Sequence, residues 1–519
     1  MSRDLIVGVD AGTSVIKAVA FDVAGAQLAM AARPNVYERL ADGGCQQDMA
    51  QTWATTAAVL RDLGEKLPGL AGRILVLAVT GQGDGTWLID AAGEPVAPGW
   101  LWLDSRAAAF VDAYRAGPDD RRRYLLTGTG ITACQQGAQL AYMTRAMPAL
   151  PQRAATGFHC KDWLYFKLTG RRATDPTEGV FTFGDFRARA YSDEVVDLLG
   201  LSAHRRLLPE IVDGTRTHHA LSESAAAAVG LAAGTPVALG YIDVICTALG
   251  GGLYEPGRQV GTTVIGSTGM HMVLQHGADA VPLNDDNSGY TTCFPVPGTY
   301  AQMQSNMAAT LNIDWLLDLA IDILGRAGVS RDRAGLLAGL DDLVLAARSG
   351  EIVYQPYISD AGERGPFIDA NARAGLIGLN SGHGFADLMR AVFDGLAMAS
   401  RDCYAAMGAQ PEEIRVSGGA ARSAALRRIL AAALNAPVRS GGREEAGAAG
   451  AAMIAAVGIG AYPSMDECVA AWIAPHLGGL DRPDPELAAV YDRLYPIYVQ
   501  SHRALTPVWR ALASARRPA

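Results

Sequence analysis

The chain has 519 residues, half of them apolar and 19% charged, with a formal net charge of −9 and a mean hydropathy of +0.11. Because a single hydrophobic core stops growing at about 250 to 300 residues, this length predicts two large domains. The acidic balance argues against a nucleic-acid partner, which would require a concentrated basic face, and the longest basic cluster is only Arg121–Arg123.

Three features bear on the compartment. The seven cysteines are scattered without a CxxC or metal-ligand spacing, so we interpret them as reduced thiols. The N-terminal residues enter a strand pattern without the h-region of a signal peptide, so we expect a cytoplasmic protein. The uncharged segment 446–465 consists mostly of Ala and Gly, which gives a weak drive into lipid. It predicts a buried helix, and we expect no membrane partner.

In chain order, the first predicted elements form a meander of short strands. Leu5–Val9 and Val15–Asp22 have strand patterns, and a turn over Asp10–Ser14 separates them. A similar unit recurs in the second half of the chain, where the strand pattern of Val260–Ile265 is followed by the turn Gly266–Gly269. The sequence therefore predicts two halves built on the same device.

The boundary between the halves is predicted near Gly250–Gly252, where three glycines interrupt the pattern. The predicted domains are thus 1–252 and 253–519. Farther along, apolar residues at helical spacing predict an amphipathic helix over 387–398.

Two further predicted strands end beside polar residues. Ile74–Thr80 runs into Gly81–Gly85 (GQGDG), and Pro236–Leu239 leads to Asp243. In open α/β sheets, ligands bind in the crevice beyond the carboxyl ends of the strands. These strand ends are therefore the places where a site is expected.

The first turn has the chemistry of a phosphate site. Gly12 permits close approach of backbone N–H groups, Thr13 and Ser14 offer hydroxyls, Asp10 can hold Mg²⁺ through water, and Lys17 adds a positive charge. Taken alone, these residues are explained better by an ordinary hairpin turn than by a phosphate site.

Two later turns repeat this chemistry. Gly266, Ser267 and Thr268 offer the same donors, so the two turns could clamp a polyphosphate from both sides. Ser417–Ala420 follows a predicted strand and precedes the helical pattern 423–434, an arrangement that suits a nucleotide. The order of the three turns, more than any one of them, indicates ATP.

Several other nucleotide motifs are missing from the sequence. There is no GxxxxGK[ST] loop, no VAIK, HRD and DFG set, and no GxGxxG after the first strand. The sequence therefore argues against a P-loop enzyme, a protein kinase and a dinucleotide-dependent dehydrogenase.

Over nearly its whole length the chain resembles the FGGY carbohydrate kinases, a family of the actin and hexokinase-like ATPase superfamily. The resemblance rests on Val9–Ser14, Gly266–Gly269 and Gly418–Ala420, and on a signature region with Gly362–Pro366 (GERGP) and the segment 387–395. It implies an α/β fold with two actin-like (ribonuclease H-like) ATPase domains around a central cleft for ATP and substrate.

The resemblance also implies roles for particular residues. Asp243, within the G-x-x-D sequence of Gly240–Asp243, corresponds to the catalytic base and would contact the substrate; a simple helix N-cap is the alternative. Mg²⁺ would be held by Asp10. The expected adenosine contacts are Gly418, Gly419, Ala420 and Ser423.

The sugar-binding loop departs from the family pattern. The family commonly has GQMHG, whereas Gly81–Gly85 places Asp84 at the position of the histidine and keeps Gln82. Both side chains are expected to line the polyol pocket. A carboxylate acceptor there argues against a xylulose-type substrate. In the strip of Trp100–Arg106, Trp102 and Asp104 are predicted to form a wall and a hydroxyl acceptor, although a buried tryptophan in the core is an equal alternative for Trp102.

Within the family, the chain is most similar to members that phosphorylate the four-carbon polyol erythritol. Xylulose, ribulose and glycerol remain alternative substrates, and a non-catalytic sensor or a chaperone-like relative are alternatives of other classes. The expected partners are ATP and a small polyol or sugar, and a homodimer is the candidate assembly.

Overall fold

The computed structural model describes residues 3–516. In the first half the strands are β1 Leu5–Ala11, β2 Val15–Asp22, β3 Gln27–Pro34, β4 Glu38–Arg39, β5 Cys45–Gln47, β6 Ile74–Gly81, β7 Trp87–Ile89, β8 Gly99–Trp100, β9 Thr156–Phe158, β10 Ala173–Thr174, β11 Gly184–Asp185, β12 Ala190–Tyr191, β13 Glu210–Ile211, β14 His219–Ala220 and β15 Pro236–Leu239. The helices are α1 Met49–Lys66, α2 Leu70–Arg73, α3 Ala108–Arg115, α4 Asp119–Thr127, α5 Gln136–Ala146, α6 Ala149–Arg153, α7 Cys160–Thr169, α8 Pro176–Phe183, α9 Asp193–Leu198, α10 Glu223–Val229 and α11 Asp243–Gly250.

The second half continues the numbering. Its strands are β16 Val260–Ile265, β17 Gly269–His276, β18 Tyr290–Cys293, β19 Thr299–Asn306, β20 Val353–Gln355, β21 Gly375–Ile377, β22 Glu413–Ser417, β23 Val438–Gly441 and β24 Leu477–Asp481. Its helices are α12 Thr310–Arg326, α13 Arg333–Leu337, α14 Leu340–Ala346, α15 Phe385–Ala406, α16 Ala424–Leu434, α17 Ala446–Gly458, α18 Met465–Trp472 and α19 Pro485–Arg516.

The first sheet has six strands in the order β14-β15-β6-β1-β2-β3. Strand β1 runs antiparallel to β2 and parallel to β6, which is itself parallel to β15. The carboxyl ends of β1, β6 and β15 therefore meet at one edge of the sheet. The first turn, the turn after β6 and Asp243 all follow these ends.

The second sheet repeats this pattern in seven strands, in the order β18-β19-β17-β16-β22-β23-β24. Strand β16 is antiparallel to β17 and parallel to β22. The turn between β16 and β17 and the turn after β22 consequently lie at one edge. The predicted repetition of a strand-turn-strand unit is confirmed.

Helix α17 packs at very close range on the first sheet and on α11. It belongs to the second half in sequence but packs against α11, β1 and β6. A Cβ atom on Gly450 would lie 1.9 Å from the backbone oxygen of Cys246, and one on Gly8 would lie 2.2 Å from that of Ala448. Only glycine allows backbones to approach this closely.

The buried helix predicted for segment 446–465 is confirmed, although α17 ends at Gly458 and a separate helix begins at Met465. Within residues 3–516, no helix is long and apolar enough to cross a membrane. The proposed boundary at 252/253 stays a prediction, because α17 lies beyond it in sequence and yet covers the first sheet.

Several element boundaries differ from the sequence-based expectation, and two of the differences have a clear physical reason. Asp10 and Ala11 belong to β1 and not to the turn, because their pairing with Lys17 and Ile16 extends the ladder. Helix α15 reaches Ala406, well beyond residue 398, because Ala399, Cys403 and Tyr404 continue its buried face. All seven cysteines are free and buried.

Candidate active site

A cavity of about 260 Å³ brings together residues from both sheets. Five of the predicted site residues line it: Thr13, Asp84, Trp102, Asp243 and Thr268. Its polar lining also includes Cys134, Tyr290, Thr292, Ser305 and Arg364. One small cavity thus contains a residue from each phosphate turn together with the predicted base.

Asp243 is the first residue of α11, and Ile242 occupies the N-cap position. The helix therefore gives no support to the alternative in which Asp243 is its N-cap. Burial, together with the nearby negative charge of Asp10, raises the pKa of Asp243 to about 8. A carboxyl group with a pKa near neutrality can take up and release a proton under physiological conditions.

Asp10 lies at the end of β1, beside Lys17 on β2. Burial raises the pKa of Asp10 to about 6, with Lys17 acting against this shift and Glu445 adding to it. Lys17 Nζ lies 2.8 Å from Glu445 Oε2. Two carboxylates and one ammonium group therefore meet where the first turn faces α17.

A short chain of hydrogen bonds ties the first turn to the strip around Trp102. The Trp102 indole N–H donates to Thr13 Oγ1 at 2.9 Å, and the Thr13 hydroxyl donates to Gln82 Oε1 at 2.8 Å. The Gln82 amide donates in turn to Gln47 Oε1 at 2.7 Å. Trp102 is 37% exposed, so it belongs to the cavity wall and not to the core.

Two of the predicted substrate contacts, Gln82 and Asp104, lie outside the lining of this cavity. Gln82 is buried behind Thr13. Asp104 accepts hydrogen bonds from the Cys45 backbone N–H at 2.8 Å and the Arg106 guanidinium at 2.6 Å, and that guanidinium lies 3.4 Å from the centre of the Trp100 ring. The contacts of both residues are structural, and they give no support to the expected contact with substrate.

Asp84 has an unusual backbone and an incompletely paired side chain. Its φ is +54°, and its Oδ1 is buried without a hydrogen-bond partner among residues 3–516. Oδ2 accepts from Cys134 Sγ at 3.3 Å and from the Tyr290 hydroxyl at 3.4 Å. Burial raises the pKa of Asp84, against the influence of Cys134 and of positive groups such as Arg364. An unpaired carboxylate oxygen at this position is well suited to accept a hydrogen bond from a substrate hydroxyl.

A second cavity of about 470 Å³ lies at the end of β22 and contains Gly419, Ala420 and Ser423. Its walls include the apolar side chains of Ile313, Leu337, Leu340 and Phe393. Apolar walls beside glycine backbone suit a flat aromatic base. The Ser423 hydroxyl, whose side chain also caps α16, donates to Asp341 Oδ1 at 2.6 Å.

Gly418 lies beside this cavity with φ +87°, and a Cβ there would lie 2.5 Å from the backbone oxygen of Ile265. Only glycine fits that position. In the other phosphate turn, the Gly266 and Ser267 carbonyls accept from Thr310 and Ala309. Ser267 and Thr268 are exposed, as is Ser14, whereas Gly12 is half-buried.

Several residues of the site were not predicted from the sequence. Arg364 lies inside the Gly362–Pro366 signature, so its position could have been found there. Tyr290, Cys134 and Glu445 belong to no recognised pattern, and only the folded chain brings them to the site. A larger cavity of about 800 Å³ lies between α15 and α19 and contains none of the predicted residues.

The fold and the site together define a class of two-domain proteins. In this class, two sheets of similar topology, each with a phosphate-type turn, enclose a cleft that holds an acidic residue suited to proton transfer. Comparison with known proteins gives the family. The model for the N-terminal domain of the FGGY family of carbohydrate kinases matches residues 5–250, and that for the C-terminal domain matches residues 261–459. The chain belongs to this family and is an ATP-using carbohydrate kinase.

Individual relatives agree with this assignment. The erythritol kinase of Brucella abortus (strain 2308) is 54% identical over 513 residues, which cover 99% of this chain and 98% of that protein. A glycerol kinase of Bordetella parapertussis is 27% identical over 91% of this chain and 92% of that protein. The structure of a xylulose kinase from Rhodospirillum rubrum has a TM-score of 0.87 at 28% identity, covering 98% of this chain and 100% of the other. The expected fold of two actin-like domains is confirmed.

Proposed function

We propose that this protein transfers the γ-phosphoryl group of ATP to a terminal hydroxyl of erythritol, giving an erythritol phosphate and ADP. The observation that carries the proposal is the single cavity of about 260 Å³ lined by Thr13, Thr268, Asp84 and Asp243. The choice of erythritol is supported by the relative of that name at 54% identity.

Asp243 would act as the general base. As the substrate oxygen forms its bond to the γ-phosphorus, its proton passes to the Asp243 carboxylate while the bond to the ADP oxygen breaks. A pKa of about 8 makes the Asp243 carboxylate a competent proton acceptor, because the ideal catalytic pKa lies near the working pH.

The two turns would hold the phosphates. Thr13, Ser14 and Lys17 from the first turn, with Gly12 allowing close approach, would face Gly266, Ser267 and Thr268 from the second. Gly418, Gly419, Ala420 and Ser423 would hold the adenosine, consistent with the apolar walls of the second cavity.

Mg²⁺ fits the donor set at the first turn. Magnesium in kinases keeps several waters and uses one or two carboxylates plus substrate phosphates, so Asp10 would suffice as the protein ligand. When bound, the ion would offset charge on the phosphates.

The polyol would lie against Asp84, Tyr290 and Trp102. The unpaired Oδ1 of Asp84 would accept a hydroxyl hydrogen bond, and Arg364 reaches the same cavity from the second half of the chain. Since the two phosphate turns belong to different sheets, we expect hinge closure on substrate, which excludes water that would otherwise take the phosphoryl group.

A coupled ADP-release assay over tetritols, pentitols, ketopentoses and glycerol tests this proposal. We expect erythritol to give the highest kcat/KM. A higher value for xylulose, ribulose or glycerol would transfer the assignment to that substrate, and release of ADP that no polyol or sugar stimulates would contradict the proposal itself.

We also propose a cytoplasmic location, supported by seven free, buried cysteines, which suit a reducing compartment. The homodimer remains a prediction, which light scattering on the purified protein would check.

A further inference from the structure

A group of charged side chains lies completely buried behind the cavity, and the mechanism above does not use it. Lys161 Nζ lies 2.7 Å from a carboxylate oxygen of Asp162 and 2.7 Å from one of Asp175, and all three side chains are 0% exposed. A buried ammonium between two carboxylates is costly to assemble, so its placement calls for a specific reason.

The group reaches the base through Thr177, the second residue of α8. Asp175 caps this helix, accepting from the Thr177 backbone N–H at 2.8 Å and from the Thr177 hydroxyl. The hydroxyl oxygen in turn accepts from the backbone N–H of Ile242 at 3.1 Å. Ile242 directly precedes Asp243, so Thr177 fixes the backbone from which the base projects.

The next residue of α8, Glu178, contacts the sugar-binding loop Gly81–Gly85, which we call the polyol turn. Glu178 Oε1 accepts from the backbone N–H of Asp84 at 3.1 Å, and Glu178 Oε2 lies 3.2 Å from His159 Nε2. Glu178 is buried, and it binds the backbone of Asp84, whose φ of +54° is uncommon for a residue other than glycine.

The polyol turn and the end of β6, which leads into it, also contact Tyr241 and Ile242, the two residues that precede the base. A Cβ atom on Gly83 would lie 1.8 Å from Ile242 Cδ1 and 2.7 Å from Glu178 Oε1. The Thr80 hydroxyl, at the end of β6, donates to the Tyr241 carbonyl at 2.6 Å. The start of α8 is therefore wedged between the two functional segments, with a contact to each.

We propose that Thr177, anchored through Asp175 to the buried Lys161, is a positioning residue for the base Asp243, and that Glu178 is a positioning residue for the polyol-binding turn at Asp84. This inference rests on the proposed function, since it takes Asp243 as the base and Asp84 as a polyol contact. According to this inference, Thr177 controls kcat and Glu178 controls the KM for the polyol, although the two residues are neighbours in one helix.

The division gives the test. In Thr177→Val the hydroxyl is replaced by a methyl group of similar size, so the base loses its anchor; we expect kcat to fall by about 10- to 100-fold while the KM for erythritol changes by less than about threefold. Glu178→Leu removes the acceptor of the Asp84 N–H, and we expect the reverse: KM rises about tenfold or more with kcat little changed.

Conservative variants and one neighbour serve as controls. Thr177→Ser and Glu178→Gln keep the oxygen acceptors, so both should recover most of the lost property. Thr182→Val changes another buried threonine of α8, whose hydroxyl accepts from Gly137 N–H at 3.4 Å away from the cavity, and its kinetics should match the wild type.

Wild-type kcat in Thr177→Val, the same loss in Thr177→Ser as in Thr177→Val, or equal changes of kcat and KM in both apolar variants would overturn the inference. Thermal melting verifies that each variant folds; if Thr177→Val does not, Thr177→Ala provides the same comparison. Failure of the proposed function would show differently, as a wild-type enzyme that releases no ADP with any polyol.

Discussion

Lys17 Nζ and Glu445 Oε2 lie 2.8 Å apart and join β2 to the residue that precedes α17. The two residues are 428 positions apart in sequence, and their side chains are 34% and 11% exposed. If Lys17 is to bind phosphate, it must exchange Glu445 for a phosphate oxygen. The Glu445 carboxylate would then compete with the nucleotide phosphates for the Lys17 ammonium group.

Replacing Glu445 should strengthen ATP binding. In Glu445→Gln the competing charge is lost, and so is its repulsion of the phosphates; because a partly exposed ion pair contributes at most about 1 kcal/mol, we expect the KM for ATP to fall by about two- to fivefold. Steady-state kinetics at saturating erythritol measure this. Glu444→Gln removes the same charge from an exposed neighbour and should leave KM unchanged. A rise in KM in Glu445→Gln would show that the pair orients Lys17 for ATP.

Asp243→Asn should abolish turnover with ATP binding nearly intact. The amide keeps the size of the side chain but cannot take the proton, and a general base contributes about 10² to 10⁴ in rate. Single-turnover kinetics and calorimetric ATP titration separate the two properties. Turnover within a few-fold of the wild type would contradict the assignment of the base.

The same variant should be more stable at alkaline pH. The pKa of Asp243 is raised from 3.8 to about 8 in the folded protein, so as pH rises the unfolded chain releases this proton first. The free energy of unfolding of the wild type therefore falls between pH 4 and pH 8, and Asp243→Asn is free of that loss. We expect the Tm advantage of the variant to grow from pH 5 to pH 8. A constant difference would show that the carboxyl group is not buried in its neutral form.

Asp84 should set the affinity for the polyol. Asn and His tolerate a positive φ as Asp does, so substitutions by these residues test chemistry without straining the turn. We expect Asp84→Asn to raise the KM for erythritol about tenfold or more, since hydrogen bonds to charged groups are among the strong ones. Asp84→His should lower erythritol use and extend activity to a ketopentose. An unchanged ranking across polyols and ketoses would remove Asp84 from the substrate site.

The contact between α11 and α17 should not tolerate a methyl group. A Cβ on Gly450 would meet the Cys246 carbonyl at 1.9 Å, so Gly450→Ala should lower Tm by about 2 to 12 °C. It should also reduce kcat, because the clash displaces α11, which begins at Asp243. Gly64→Ala in α1, where a Cβ has no neighbour within 4 Å, should stabilise the protein slightly. Equal melting temperatures for Gly450→Ala and the wild type would show that the helices can separate at little cost.

Much of the sheet structure was predictable because short-range patterns dictate it. The predicted strands over Val15–Asp22, Val260–Ile265 and Pro236–Leu239 match β2, β16 and β15 in both bounds. Each is a β-branched or apolar run closed by turn residues, and neither feature depends on distant contacts. Helix α15 is longer than predicted. Buried small residues such as Ala399 and Cys403 extend its apolar face beyond the large apolar residues from which the helix was predicted.

The site was predictable only in part. Thr13 and Asp243 follow the ends of β1 and β15, which run in the same direction in one sheet, so their approach to one cavity follows from topology. Thr268 follows β16 of the second sheet, and only the packing of the two halves brings it to the same cavity. The side chains of Gln82 and Asp104 were assigned to substrate, but their hydrogen bonds go to Gln47 and Arg106. Which partner a polar side chain selects depends on its neighbours in space, which the linear order does not reveal.

Residue types at fixed local spacing are enough to predict the two phosphate-type turns, the acidic residue Asp243 shortly after a strand, the buried Ala/Gly helix and the family. The tertiary structure alone decided that Glu445 faces Lys17, that Trp102 and Asp84 share a cavity with Asp243, and that the start of α8 contacts both functional segments. These relationships join residues far apart in the chain, and packing fixes them through close contacts between backbones that no local pattern encodes.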